Sequence, residues 1–182
     1  MKRNNPFPVL TTERLLLRRV TQEDSEAVLA GYSDRRVYQF MSVAYHNIEE
    51  IKVQLDWYES LLSDQSGIWW GICLKESGQM IGNGGFHDWH HQHRKAELGY
   101  WLMPEFQGRG LASEAIIAMT NYGFERMYLH RIEAEVETEN TASSALLRKM
   151  EFTLEGIKKG CEFINERFID LEMWAKLETT NK

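Results

Sequence analysis

Disulfide scaffolding is excluded first: 182 residues carry only two cysteines, Cys73 and Cys161, with no C-x-x-C spacing for zinc or redox work. Both read as small buried or half-buried hydrophobes. Prolines number three, two of them in the first eight residues, and no Gly/Ser/Pro-rich tract follows, so a domain boundary has nowhere to fall. One domain over residues 1–182 is expected, with 1–8 a loose N-terminal segment. A chain of this length buries roughly two-thirds of its unfolded surface and needs no staple. Long apolar runs are missing as well: none approaches the ~18–20 residues of a membrane-spanning helix, and the start MKRNNPFPVL lacks the apolar stretch of a secretory signal. Positive charge is in deficit, 21 Lys+Arg against 27 Asp+Glu for a net −6, which argues against wrapping nucleic acid by counterion release. A cytoplasmic protein with neither nucleic acid nor membrane as a direct partner is expected.

What is present alternates between the two secondary-structure periods. Residues 14–20 (RLLLRRV) read as a strand, and Thr21 with Asp24 makes a variant capping box for a helix to about residue 32. Asn47 with Glu50 signals a second helix, whose apolar positions Ile48, Ile51, Leu55, Tyr58 and Leu62 form one stripe. Three strands follow at 68–74, 79–86 and 96–102, as an antiparallel meander with the loop HDWHHQHRK before the third. Then come a helix over 111–127, a half-buried strand over 132–136, a short helix over 142–150, and two β-rich segments at 152–158 and 163–174. The fold class is an α/β mixture.

The stretch AELGYWLMPEFQGRGLASEA, residues 96–115, carries the most chemistry. A strand ends at Leu102, a turn with Gly108 and Gly110 follows, and a helix begins at once. Glycines there let successive backbone N–H groups point the same way and let a ligand approach, and the helix dipole favours a phosphate. The same glycines would also serve a tight turn and close helix packing. There is no G-x-x-x-x-G-K-[ST] and no G-x-G-x-x-G with a parallel βαβ series, so nucleotide hydrolysis and dinucleotide hydride transfer drop away.

Gln107-Gly108-Arg109-Gly110-Leu111-Ala112 resembles the Q-x-x-G-x-G/A pyrophosphate loop of the GNAT N-acetyltransferase superfamily. The opening LTTERLLLRRVTQED, the GYW of the fourth strand, and N-x-x-S followed by LLRKMEF are similar to its ribosomal-protein N-terminal acetyltransferase (RimJ/RimL-like) branch. Glu151 departs from that pattern, standing where the branch usually has Gly, which puts the local turn in question. The resemblance implies a GNAT-like domain: a mixed, mostly antiparallel sheet of about seven strands, splayed between the fourth and fifth and flanked by helices. It implies acetyl-CoA as cosubstrate, its pyrophosphate on the backbone amides of Gln107, Gly108, Arg109, Gly110, Leu111 and Ala112, with the Arg109 side chain and the Ser113 hydroxyl assisting. Asn140 matches the residue that fixes the cofactor end of the slot, and Ser143 the donor to the departing sulfur, although Ser143 would equally serve as an N-cap.

Glu97 is the candidate general base, with His87 and Glu135 as rivals that no spacing rule separates. His87, His90, His91 and His93 lack ordered metal spacing, so no metal is expected. No cysteine stands beside a plausible base, which favours direct attack by the amine over a covalent acyl-enzyme. The implied acceptor is a protein N-terminal α-amino group, of which about one in ten is neutral at pH 7, against about one in 2,500 for lysine. A small amine such as an antibiotic or polyamine, and a non-catalytic CoA-binding module, are the alternatives. Acceptor identity and oligomeric state have no readable code in the sequence.

Overall fold

The computed structural model describes residues 7–41, 43–164 and 166–178. Eight strands form one sheet in the order β1-β2-β3-β4-β5-β6-β8-β7. They are β1 (Leu10–Thr11), β2 (Leu15–Arg19), β3 (Ile68–Leu74), β4 (Met80–His90), β5 (Lys95–Leu102), β6 (Arg131–Glu137), β7 (Thr153–Ile164) and β8 (Arg167–Leu177). Five α-helices flank it: α1 (Ser25–Ser33), α2 (Arg35–Tyr38), α3 (Ile48–Ser63), α4 (Leu111–Glu125) and α5 (Thr141–Lys149). The α/β reading and the mostly antiparallel sheet hold; the two-residue β1 brings the count to eight.

Local chemistry explains where the elements begin. The Thr21 N–H donates to the Asp24 carboxylate at 2.8 Å, but the box opens a 3-10 turn, Gln22–Asp24, before α1 starts. Asp34 accepts from the Arg36 N–H at 2.9 Å, and this cap breaks the helical stretch between α1 and α2. Asn47 Oδ1 accepts from the Glu50 N–H at 3.0 Å and starts α3 as its sequence signals. In α3 the buried face is Ile51, Gln54, Leu55, Tyr58 and Leu61, while Ile48 and Leu62 at its ends are exposed.

The sheet separates two cores. Ala96, Leu98 and Leu102 of β5 pack with Ile116 and Met119 of α4 and Leu147 of α5, whereas Trp101 packs with Val28, Tyr32 and Leu55 on the α1/α3 face. Adjacent β5 residues therefore serve opposite faces, as a period of two requires. Among the described residues the β5–α4–β6 crossover makes the one parallel pair, and its ladder covers Lys95↔Arg131, Ala96↔Ile132 and Glu97↔Glu133. Beyond Glu97 the two strands part, which is the splay expected between the fourth and fifth long strands.

One segment differs from its sequence reading, and the two closing β-rich segments hold and lengthen. Residues 87–90, read as loop, continue β4, with a bulge between His87↔Glu97 and His90↔Lys95 that places Asp88 at φ +48°. The last two segments form one long hairpin, with β8 paired to both β6 and β7.

Candidate active site

Beyond β5 the chain makes a 3-10 turn at Pro104–Phe106, then passes through Gly108 at φ +70° and Gly110 at φ +78° into α4. Both glycines sit where a side chain is strained, and a Cβ on Gly108 would meet nothing within 4 Å. The first bond closing α4 runs from the Glu114 N–H to the Gly110 carbonyl, leaving the amides of Leu111, Ala112 and Ser113 at its positive end. A brace from the N-terminal segment fixes this turn. Arg14 donates to the Arg109 carbonyl at 2.9 Å and to Glu114 Oε2 at 2.7 Å, and the Thr12 hydroxyl donates to Glu114 Oε1. Gln107 Nε2 donates to the Leu102 carbonyl at 2.8 Å, so its side chain ties the turn to the end of β5. The Arg109 guanidinium lies over the Phe106 ring, 5.8 Å from its centroid. The brace from Arg14 and Glu114 had no signal in the local sequence, because its members lie about a hundred residues apart.

The split between β5 and β6 leads into a cavity of about 590 Å³ that has Asn140, Ser143 and Tyr100 in its wall, with Glu97, His87 and Glu135 also lining it. Asn140 caps α5, its Oδ1 accepting from the Ser143 N–H at 3.2 Å. The cap is thus Asn140, and the Ser143 hydroxyl is left to meet the Tyr100 hydroxyl at 2.8 Å. Burial pushes the Tyr100 phenol up to about 12, so it stays protonated through the neutral range, although the bond to Ser143 pulls the other way. Tyr100 is the functional candidate that the sequence reading passed over. Its signal was the alternation of β5, which puts it on the α4/α5 face with Leu98 and Leu102.

Glu97 occupies the other face. Burial raises its carboxyl above the ordinary range; His87 opposes this, while Glu135, Asp88 and Glu133 add to it. The rivals separate by their partners. Glu135 is bound to Lys158 at 2.8 Å, whereas among the described residues Glu97 has no Lys or Arg partner and meets only His87 Nε2, at 3.7 Å. Glu162 of β7 also lines the cavity, a carboxylate whose place no local pattern announced. Among the described residues one group of three, His87, Asp88 and Glu97, has donor atoms close enough for a metal ion, within 4.8 Å of one another. His87 meets the two carboxylates through opposite ring nitrogens, an arrangement that suits proton movement better than chelation of a single ion. His91 instead bonds the Gln65 carbonyl, so the histidine run does not converge. A shallower cleft of about 380 Å³ over β6–β8 is lined by Arg131, Glu133 and Glu155, whose charges already pair with one another. Of the two thiols, Cys73 is buried and Cys161 exposed, and neither lines the larger cavity.

An amide nest at a helix N-terminus, beside a sheet opened between two parallel strands, is the arrangement that the resemblance to GNAT acyl-CoA-dependent transferases implies. Residues 14–153 match the acetyltransferase (GNAT) domain, and the chain belongs to that family, whose members use acetyl-CoA. It is 36% identical over 170 residues to an uncharacterized N-acetyltransferase, YoaA, of Bacillus subtilis (strain 168), covering 93% of this chain and 96% of that one. It is 30% identical over 158 residues to the spermidine N(1)-acetyltransferase of Escherichia coli (strain K12), covering 87% and 76%. Among solved structures, an acetyltransferase from Salmonella typhimurium that modifies the N-terminal serine of 50S ribosomal subunit protein L7/L12 superposes with a TM-score of 0.85. That pair is 26% identical, covering 94% of this chain and 99% of that one. The protein is therefore an N-acetyltransferase.

Proposed function

We infer that this N-acetyltransferase acts on a protein N-terminal α-amino group, using Glu97 and Ser143 as catalytic residues. In this reading Gln107, Gly108, Arg109, Gly110, Leu111, Ala112 and Ser113 hold the cofactor pyrophosphate, and Asn140 sets the end of the slot. The observation that carries it is the cavity reached from both faces of the split: Tyr100–Ser143 on one side, Glu97 on the other. Glu97 takes a proton from the incoming amine, and the amine attacks the thioester directly. The Ser143 hydroxyl, backed by the protonated Tyr100, supplies a proton to the departing sulfur and regains one from the nitrogen of the tetrahedral adduct. Edge amides of β5 beyond residue 97, which have no partner in β6, face the slot and can bond the pantetheine and the developing oxyanion.

An α-amino acceptor fits a site with a single carboxylate base, since a lysine would add ~4–5 kcal/mol for loss of its proton before chemistry began. A polyamine is the second reading. It is favoured by the cavity wall, which among the described residues contains Glu97, Glu135, Glu137 and Glu162 and no lysine or arginine. Both acceptors belong to the cytoplasm, and the unpaired thiols fit a reducing compartment.

The test is thiol release from acetyl-CoA with three acceptors: a peptide with a free N-terminus and blocked lysine, its counterpart with an acetylated N-terminus and free lysine, and spermidine. Preference for the first supports the reading and preference for spermidine moves the acceptor to polyamines. CoA binding without thiol release from any acceptor would leave a binding module.

A further inference from the structure

Transfer from a thioester to an ammonium group breaks a C–S bond, forms a C–N bond and yields an amide, a thiol and one free proton. One N–H proton ends on the sulfur; the other, taken by Glu97, must leave before the next turnover. Glu97 is half-buried, 26% exposed at its side chain, and the neighbouring carboxylates Glu133 and Glu135 are held by Lys95, Arg131 and Lys158. Among the described residues its one cationic or imidazole neighbour is His87 of β4, directly opposite in the ladder, with Nε2 at 3.7 Å from Glu97 Oε1. The other ring nitrogen, Nδ1, lies 3.0 Å from Asp88 Oδ2, and the Asp88 side chain is 72% exposed. The ring is otherwise walled by uncharged aromatics, Trp57 of α3 and Trp69 of β3, with centroids at 6.1 and 6.2 Å.

The backbone is shaped for this contact. The β4 bulge falls between His87 and His90 and holds Asp88 at φ +48°, a conformation costly for a residue other than glycine. A bulge beside an active site re-aims a side chain, and here the outcome is a carboxylate returned to the histidine that precedes it. Glu97, His87 and Asp88 thus form a line from a half-buried carboxylate to solvent. We propose that His87, oriented by Asp88, carries the proton from Glu97 to solvent in each turnover, the 3.7 Å gap being bridged by one water or closed by a side-chain rotation. Histidine is suited to the task because one ring nitrogen can take up a proton while the other gives one up. Both are positioning residues that act through Glu97, and the proposal rests on the assignment of Glu97 as base.

The experiment measures thiol release by the full chain, with the acceptor the wild type uses, in dilute non-imidazole buffer across pH and again with imidazole added at constant ionic strength. His87→Ala is expected to lower kcat about tenfold, with KM for acetyl-CoA unchanged. Imidazole should restore about a third of the loss in His87→Ala and leave the wild type unaffected, as rescue by an exogenous base requires. Asp88→Asn should lower kcat about threefold, with KM for acetyl-CoA unchanged. Should His87→Ala not fold, as judged by circular dichroism, His87→Gln takes its place. A kcat within twofold of wild type, or a loss that imidazole does not relieve, overturns the relay while leaving the transferase reading intact. A wild type that releases no thiol with any amine overturns both.

Discussion

A side chain at Gly110 would have to sit at φ +78° at the start of α4, with its Cβ 3.4 Å from Arg14 Nη2. The arginine tip can move; the backbone cannot adopt that angle with a β-branched residue without strain of about 1–2 kcal/mol. Gly110→Val is therefore expected to raise the Kd for CoA at least about tenfold, as loss of the amide nest demands, with a smaller fall in Tm. Calorimetry on the folded variant showing wild-type affinity would remove the loop from the cofactor site. Ser143 predicts a different split. Because Asn140 caps α5, Ser143→Ala should cost only the bond to Tyr100, about 1 kcal/mol of stability, while lowering kcat by roughly 10- to 100-fold, and CoA affinity should not change. A fall in Tm with kcat preserved would return Ser143 to a structural role. Glu97 joins activity to stability through its raised carboxyl pKa. The unfolded chain loses this proton at lower pH than the folded one, so folding stability declines as pH rises from the ordinary carboxylate value through the raised folded value. Glu97→Gln should thus be more stable than wild type at neutral pH, with the advantage fading below that window, and its turnover should be lost. Paired denaturation curves at neutral and acid pH, alongside thiol release, check both parts.

Between elements, a close approach at Gly31 ties α1 to Trp101 of β5. A Cβ on Gly31 would stand 2.0 Å from Cη2 of Trp101, whose ring lies in the cavity wall. Gly31→Ala would gain about 1 kcal/mol in helix propensity, but displacing the indole costs roughly 1–3 kcal/mol. The expected outcome is a lower Tm and a raised KM for the acceptor, with KM for acetyl-CoA unaltered. Equal acceptor kinetics in a stable variant would place acceptor binding away from Trp101. At the end of α5, Glu151 adopts φ +63°, the left-handed position after a helix C-cap, and its carboxylate lies 3.3 Å from Lys176 Nζ. That conformation explains why a pattern similar to this one carries glycine there, and the turn forms without it.

At the scale of the molecule, the split beyond Glu97 divides the sheet into β1–β5 and β6–β8, whose ladders join, among the described residues, through three pairs. A cofactor lying across it adds contacts to both halves that the unfolded chain lacks. At a CoA concentration about 100 times Kd this linkage amounts to ~2.7 kcal/mol, or about 5–10 °C in Tm for a chain of this size. Differential scanning fluorimetry with CoA should show that rise, and Gly110→Val should abolish it.

The order of helices and strands was legible because each rests on a local period or cap: the α3 stripe, the Asn47 cap, the alternation of β5 and β6. The turn at Gly108 and Gly110 was legible for the same reason, since positive φ, a missing Cβ and a helix start are all short-range properties. Sequence reading stopped where the partners are distant. It could not rank Glu97 above Glu135, because the difference lies in Lys158, which pairs with Glu135 from β7. It could not release Ser143 from capping or supply Tyr100 as its partner, since 43 residues separate the two hydroxyls. Nor could it turn the histidine loop into the end of a strand, because the bulge at Asp88 exists only once β4 is paired with β5. Periodicity assigns each residue to a face, but the charges and hydroxyls opposite it are set by which strands and helices pack together.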